Sequence, residues 1–171
     1  ITENEFPEDE RQNLVKADTG SSYGFIHEIY HRHYTNILGE MGYYDIILMD
    51  PDGNVVYSVA KREDFATNLR SGQWNATGLA KAFRTAVDAG PDNASVFVDF
   101  SSHGPSNGRP AAFLARAVFD ESEKLLGVLA YQMPNDLVTR TVRVLDGLGS
   151  TADAFLVGED GLMRTDSIHT E

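Results

Sequence analysis

The chain has 171 residues, 26 acidic against 14 basic for a formal charge of −12, and 42% of it is hydrophobic. That leaves room for one full domain with some chain to spare and is too apolar for a disordered segment. The acidic balance excludes a nucleic-acid partner, which needs a basic surface to displace phosphate counterions. The lack of Cys excludes zinc ribbons, thiol catalysis and a disulfide framework.

Residues 1–20 are polar and acidic and read as a loosely ordered lead-in. From Ser21 the apolar residues Phe25, Ile26, Ile29, Tyr30, Tyr34, Ile37, Leu38 and Met41 recur at three-to-four spacing, predicting an amphipathic helix capped near Ser21 and stopped by Gly42. A hairpin follows, about 43–50 and 54–61, around an Asp52-Gly53 pair expected to form a tight primed turn. A loop from Arg62 to Asn75 leads to a helix capped by Thr77 and ended by Gly90-Pro91. Strands are predicted at Ser95–Phe100, Pro110–Phe119 and Lys124–Met133. A helix capped by Asn135 or Asp136 runs to about Leu145. This order of helices and hairpins predicts an α+β fold, a mainly antiparallel five-stranded sheet flanked by helices.

One pattern occurs twice, 108 residues apart: an apolar run, an acidic turn closed by Asp-Gly, and a second run, at Tyr44–Ser58 and Ala152–Ser167. A fixed offset predicts one structural unit used twice. The expected organisation is a lead-in over 1–20, a complete module over 21–146, and the start of a second, truncated module over 147–171.

Gly42-Tyr43-Tyr44-Asp45-Ile46-Ile47-Leu48-Met49-Asp50-Pro51-Asp52-Gly53 and the strand that follows resemble the first hairpin of a Cache (PAS-like) sensor domain. Pro110–Phe119 with Leu126-Gly127-Val128-Leu129 is similar to that family's paired strands, and 147–167 to the entry of the second module of a double Cache domain. The resemblance implies the extracytoplasmic, periplasmic sensor domain of a bacterial transmembrane receptor of the methyl-accepting chemotaxis type. A histidine kinase or nucleotide cyclase is the next parent in line, and a cytosolic PAS-like interaction module a further rival. It implies no catalysis, no cofactor, a small-molecule ligand held against the sheet, a homodimer as a possible state, and membrane helices beyond the two ends.

Candidate ligand-binding residues are Tyr57, Arg70, Trp74, Asp99, Ser101, His103, Phe113, Tyr131 and Gln132, polar or aromatic residues on or beside strands that need apolar inward faces. Strand alternation puts Tyr131 and Gln132 on opposite faces, so only one of them lines a pocket. Amino-acid-binding Cache domains resemble one another in an Arg, a Trp-Tyr pair and a Tyr after the first hairpin, and an Asp on the last strand. Here Arg70 and Trp74 stand one residue further apart than in that pattern, Asn75 replaces the Tyr, and Gln132 falls near the Asp. An amide binds an ammonium group less well than a carboxylate does. The expected ligand is therefore an organic acid or another small polar molecule rather than an α-amino acid; the alternative is that the complete module binds nothing and the truncated second one senses.

His27-Glu28-Ile29-Tyr30-His31 matches the H-E-x-x-H zinc pattern and supports an alternative of another class, a small zinc hydrolase. No third ligand follows in sequence, and a packed helix-flank His pair is the plainer reading. His33, between Ile29 and Ile37, is expected to be buried in the middle of the apolar face.

Overall fold

The computed structural model describes residues 6–16, 21–92, 95–142, 152–165 and 167. A 3-10 helix over Glu8–Asn13 opens the chain, where the composition promised only a loose lead-in. Helix α1 spans Ser22–Met41; Ser21 Oγ accepts from the Gly24 N–H, and Gly42 closes the helix in the left-handed region at φ 69°. Strands β1 (Asp45–Met49) and β2 (Val55–Ser58) form the first hairpin. Helix α2 (Gly78–Ala89) starts from the Thr77 cap. Strands β3 (Val96–Ser102), β4 (Pro110–Phe119) and β5 (Leu125–Met133) follow, then α3 (Asn135–Val142). The five strands form one antiparallel sheet in the order β2-β1-β5-β4-β3, so the two hairpins meet through β1 and β5. This is the expected α+β architecture.

Register decides which side chains share a face. Ile47 pairs with Ser58 and Ala130, Asp45 with Gln132, and Phe113 with Gln132 and Val98. Those residues face α2, where Ile47, Met49, Val55, Leu69, Leu79, Phe83, Val98, Phe113 and Val128 make the main core. The opposite face carries Ile46, Tyr57 and Val59, packed with Tyr34, Ile37, Leu38, Leu129 and Tyr131 beneath α1.

Helix α1 differs from its sequence pattern. Phe25, Ile26, Ile29 and Tyr30 are each more than half exposed, and His33 is exposed instead of central to a buried face. The inward stripe is Gly24, His27, His31, Tyr34 and Leu38, one position round the helix. The apolar packing of the sheet lies under the C-terminal half of α1; the N-terminal half meets the sheet only at edge strand β2, where Tyr23 O–H donates to Val56 O and the His27 ring lies 5.5 Å from that of Tyr57. That N-terminal half also rests on the end of the 3-10 helix and the residues after it, whose carbonyls at Gln12 and Val15 lie against the two imidazoles.

The Asp-Gly turns are also built differently. Asp50 O accepts from Gly53 N and Asp50 N donates to Asn54 O, so Pro51 and Asp52 occupy the centre and Gly53 follows in the left-handed region at φ 86°. That is a type I turn with a glycine bulge, not a two-residue primed turn. The second copy repeats it at the same offset: Gly158 O accepts from Gly161 N, Gly158 N donates to Leu162 O, and Gly161 has φ 76°. Val157 and Met163 pair across it. Gly147 and Gly149 of the expected module entry, Asp166 of the second copy, and Asn93-Ala94 lie outside the described residues.

Candidate functional site

On the α2 side of the sheet the core gives way to polar groups at the end where β1 begins and β5 ends. Asp45 is fully buried, and three donors converge on it: Ile46 N–H and Ala60 N–H at Oδ1, Ser58 Oγ–H at Oδ2. Burial still lifts its carboxyl to about 6, against the pull of these hydrogen bonds. Asp45 is thus a structural clamp on the start of the 59–77 loop, with both carboxyl oxygens engaged.

That loop lays Asp64 and Trp74 over the sheet end. Asp64 is 2% and His103 1% exposed, with His103 Nε2 3.5 Å from Asp64 Oδ2. Neither ring nitrogen of His103 has a hydrogen-bond partner, and neither does Asp64 Oδ1. The His103 ring stands edge-on to Phe113 at 5.1 Å. Beside it the buried Gln132 amide donates to Ser106 Oγ at 3.0 Å. Trp74 donates its indole N–H to Glu63 O and packs over Gly104, where a Cβ would stand 2.4 Å from the Trp ring. A buried, unpaired polar group costs about 1–3 kcal/mol. A polar ligand that completes the Asp64–His103 pair recovers that cost.

Next to Gln132 and Ser106 a cleft of about 210 Å³ opens to solvent, lined also by Tyr44, Arg109, Asn135 and Asp136. Arg62 lies over the Tyr44 ring at 4.8 Å and donates to its hydroxyl at 2.9 Å. Arg109 donates to the same hydroxyl from the other side at 3.3 Å.

Of the residues expected to bind ligand, Trp74, His103, Phe113 and Gln132 are brought together here. The others stand elsewhere. Tyr57 and Tyr131 face α1, as the alternation of each with its neighbour requires. Arg70 lies outside, its guanidinium over the Phe83 ring and 3.5 Å from Pro51 O. Asp99 is held by Arg164 through Nε and Nη2, which keeps its carboxyl below the usual range. Ser101 is exposed on the edge strand beside Gly78. Sequence reasoning missed Asp64, Ser106, Tyr44 and Arg109. Loop residues show no periodicity, and only their chemistry marked them: a cation in an acidic chain, a carboxylate in a loop.

The HEIYH segment forms a packing cluster. His27 and His31 stack at 4.4 Å. The partners assign the tautomers: Tyr57 O–H donates to His31 Nδ1 at 2.8 Å, His31 Nε2–H donates to Gln12 O at 2.7 Å, and His27 Nδ1–H to Val15 O at 2.6 Å. Burial lowers His27 and brings His31 to about 4, with the Lys61 ammonium pushing the same way. Lys61, itself buried, is brought to about 8 by burial, and its Nζ lies 3.3 Å from Val59 O. Glu28 turns outward to Lys16 at 2.8 Å. A zinc site needs imidazole lone pairs aimed at one point, and His31 has spent both nitrogens. Among the described residues no three His, Asp or Glu side chains are grouped to hold a metal, and no helix is long and apolar enough to cross a membrane.

Several solved structures share the architecture. The extracellular domain of the histidine kinase rpHK1S-Z16 matches with a TM-score of 0.59 at 15% identity, over 91% of this chain and 58% of its own. The ligand-binding domain of the Campylobacter jejuni chemoreceptor Tlp3, solved with 4-methylisoleucine, matches at 0.56 and 13% identity, over 95% of this chain and 58% of its own. The sensor domain of the V. cholerae histidine kinase DctB matches at 0.52 and 16% identity, over 80% of this chain and 51% of its own. The chain spans a little over half the length of these neighbours. No protein-family model matches it, and no curated relative does. At such identities the likeness establishes the fold: the PAS-like, Cache-type fold of chemoreceptor and histidine-kinase sensor domains.

Proposed function

We propose that the chain is the small-molecule-sensing part of an extracytoplasmic receptor domain, of chemoreceptor or histidine-kinase type, and that it performs no catalysis itself. The carrying observation is the Asp64–His103 pair, buried and incompletely hydrogen-bonded on the sheet face beside Phe113 and Gln132. A structural polar pair closes its own hydrogen bonds; this one leaves three positions for a ligand. The fold supports the reading, since the neighbours named above are sensor and ligand-binding domains.

In this reading the receptor is anchored by membrane helices outside the chain. Ligand binding shifts the packing of the loop and helices, a population shift relayed to the output. The ligand is an organic acid or another small polar molecule, because the Gln132 amide, tied to Ser106, offers no charge to an ammonium group. Thermal-shift screening of the chain with organic-acid and amino-acid panels, followed by calorimetry, tests both levels. At least one small polar compound should stabilise the domain, and His103→Ala should weaken its binding. If none binds, sensing by this module is wrong; micromolar binding of a free amino acid overturns the ligand class alone.

A further inference from the structure

Arg109 is an unusual cation for this chain. Acidic residues outnumber basic ones, yet Arg109 makes no ion pair among the described residues, and the hydrogen bond it makes is to the Tyr44 hydroxyl. It sits at the mouth of a cleft whose floor is the buried, polar Gln132–Ser106 pair. Across the cleft, Asn135 Oδ1 is buried with no hydrogen-bond partner, and Asp136 stands exposed at the rim. The cleft therefore has two chemically distinct ends. One offers a guanidinium and a phenol hydroxyl, the donors that a carboxylate takes up in charge-assisted hydrogen bonds. The other offers the unpartnered Asn135 Oδ1 and the Asp136 carboxylate as acceptors, with the Asn135 amide N–H groups beside them. Its volume of about 210 Å³ is several times the share of one water.

We infer that this cleft anchors the ligand's carboxylate between Arg109 and Tyr44 and takes a ligand hydroxyl at Asn135, so that the ligand class is a small monoanionic hydroxy acid. This rests on the sensing reading above and adds the anchoring residues, which lie outside the set that sequence pointed to. Arg70, the expected carboxylate partner, faces away over Phe83. A dianion such as phosphate fits poorly, because the exposed Asp136 carboxylate stands at the end opposite Arg109.

Calorimetry on the whole chain separates the terms. The probes are glycolate, lactate and 3-hydroxybutyrate, their deoxy analogues acetate, propionate and butyrate, the amides glycolamide and lactamide, and inorganic phosphate. At least one hydroxy acid should bind more tightly than its deoxy analogue, with the amides and phosphate weaker still. Arg109→Gln, a change at an exposed side chain, should fold normally and weaken that acid by tenfold or more. Tyr44→Phe should weaken it by less. The inference is overturned if amides bind as tightly as acids, if Arg109→Gln leaves the acid's affinity unchanged, or if no acid binds. Compounds of another class that bind while every acid fails leave the sensing reading standing and remove this one; silence from every class removes both.

Discussion

The two faces of the sheet bury polar groups in contrasting ways. Under α1, His31 has both ring nitrogens engaged, by Tyr57 and Gln12, and His27 is tied to Val15 O through Nδ1 and stacked on His31, with its Nε2 alone left without a partner. That network fastens the first segment of the chain to the helix. Under the 59–77 loop, His103 and Asp64 are as deeply buried but stay partnerless at three atoms. A histidine at the centre of a sheet domain is thus no guide to function by itself. On the proposed reading, an imidazole tied through at least one nitrogen is a fastener, and His103, with neither nitrogen hydrogen-bonded, stands on the receiving face.

The largest effect that tests this contrast is in the apolar core beside the receptor groups. Phe113 is fully buried, packing against α2 and the edge of His103. Phe113→Ala should cost about 3–5 kcal/mol in urea unfolding. A loss under ~1 kcal/mol would mean that this end of the sheet is a loose cavity rather than a packed wall.

Next come the two histidines. His31→Gln removes a satisfied network and should cost about 1–3 kcal/mol at pH 7 while leaving ligand affinity alone. His103→Leu removes ring nitrogens that make no hydrogen bond but also takes the imidazole from beside the buried Asp64, so stability should fall by no more than about 1–3 kcal/mol while binding is lost. The reverse pattern in these two variants would exchange the roles of the faces.

Acid separates the faces further. The folded His31 sits at about 4, below its ordinary 6.5. The unfolded chain therefore binds the extra proton first, and the stability His31 contributes is lost as pH falls from about 6.5 toward 4. The buried Asp45 carboxyl works in the opposite direction. Raised from 3.8 to about 6, it contributes below 3.8, and that contribution is lost as pH rises through 6. Across the same window the two nearly cancel. The stability gap between wild type and His31→Gln should therefore narrow on acidification from pH 6.5 to 4. A constant gap would show that His31 titrates normally.

The smallest effect concerns a turn. Asp120–Lys124 repeats the geometry of the two Asp-Gly turns, with Glu123 N–H donating to Asp120 O, but the left-handed position at φ 61° holds Glu123 where they hold glycine. Glu123→Gly should relieve that strain and raise stability by up to about 1 kcal/mol. An equal loss would indicate that the Glu side chain makes a compensating contact.

Much of the architecture is legible in the sequence because caps and alternation are local. Ser21, Gly42, Thr77 and the run from Pro110 to Phe119 each mark a boundary without help from the rest of the chain. The buried stripe of α1 is not local. Phe25, Ile26, Ile29 and Tyr30 make the better apolar face, but the chain's first segment offers carbonyls to the neighbouring one, and two imidazoles outweigh four apolar side chains there. The site divides the same way. Phe113 and Gln132 could be placed by strand alternation, and His103 and Trp74 by chemistry next to strands. Asp64, Tyr44 and Arg109 come from loops and strand ends, where only the fold decides which way a side chain points.

The central claim is that the face with incomplete hydrogen bonds receives a ligand. Amide shift mapping by NMR, during titration with the tightest compound from the screen, tests it most directly. Perturbations are expected at residues 62–64, 74, 103–109 and 132, with α1 residues 27–38 little changed. Shifts concentrated along α1 around His27 and His31, or no shifts at the loop and the end of β5, would contradict it.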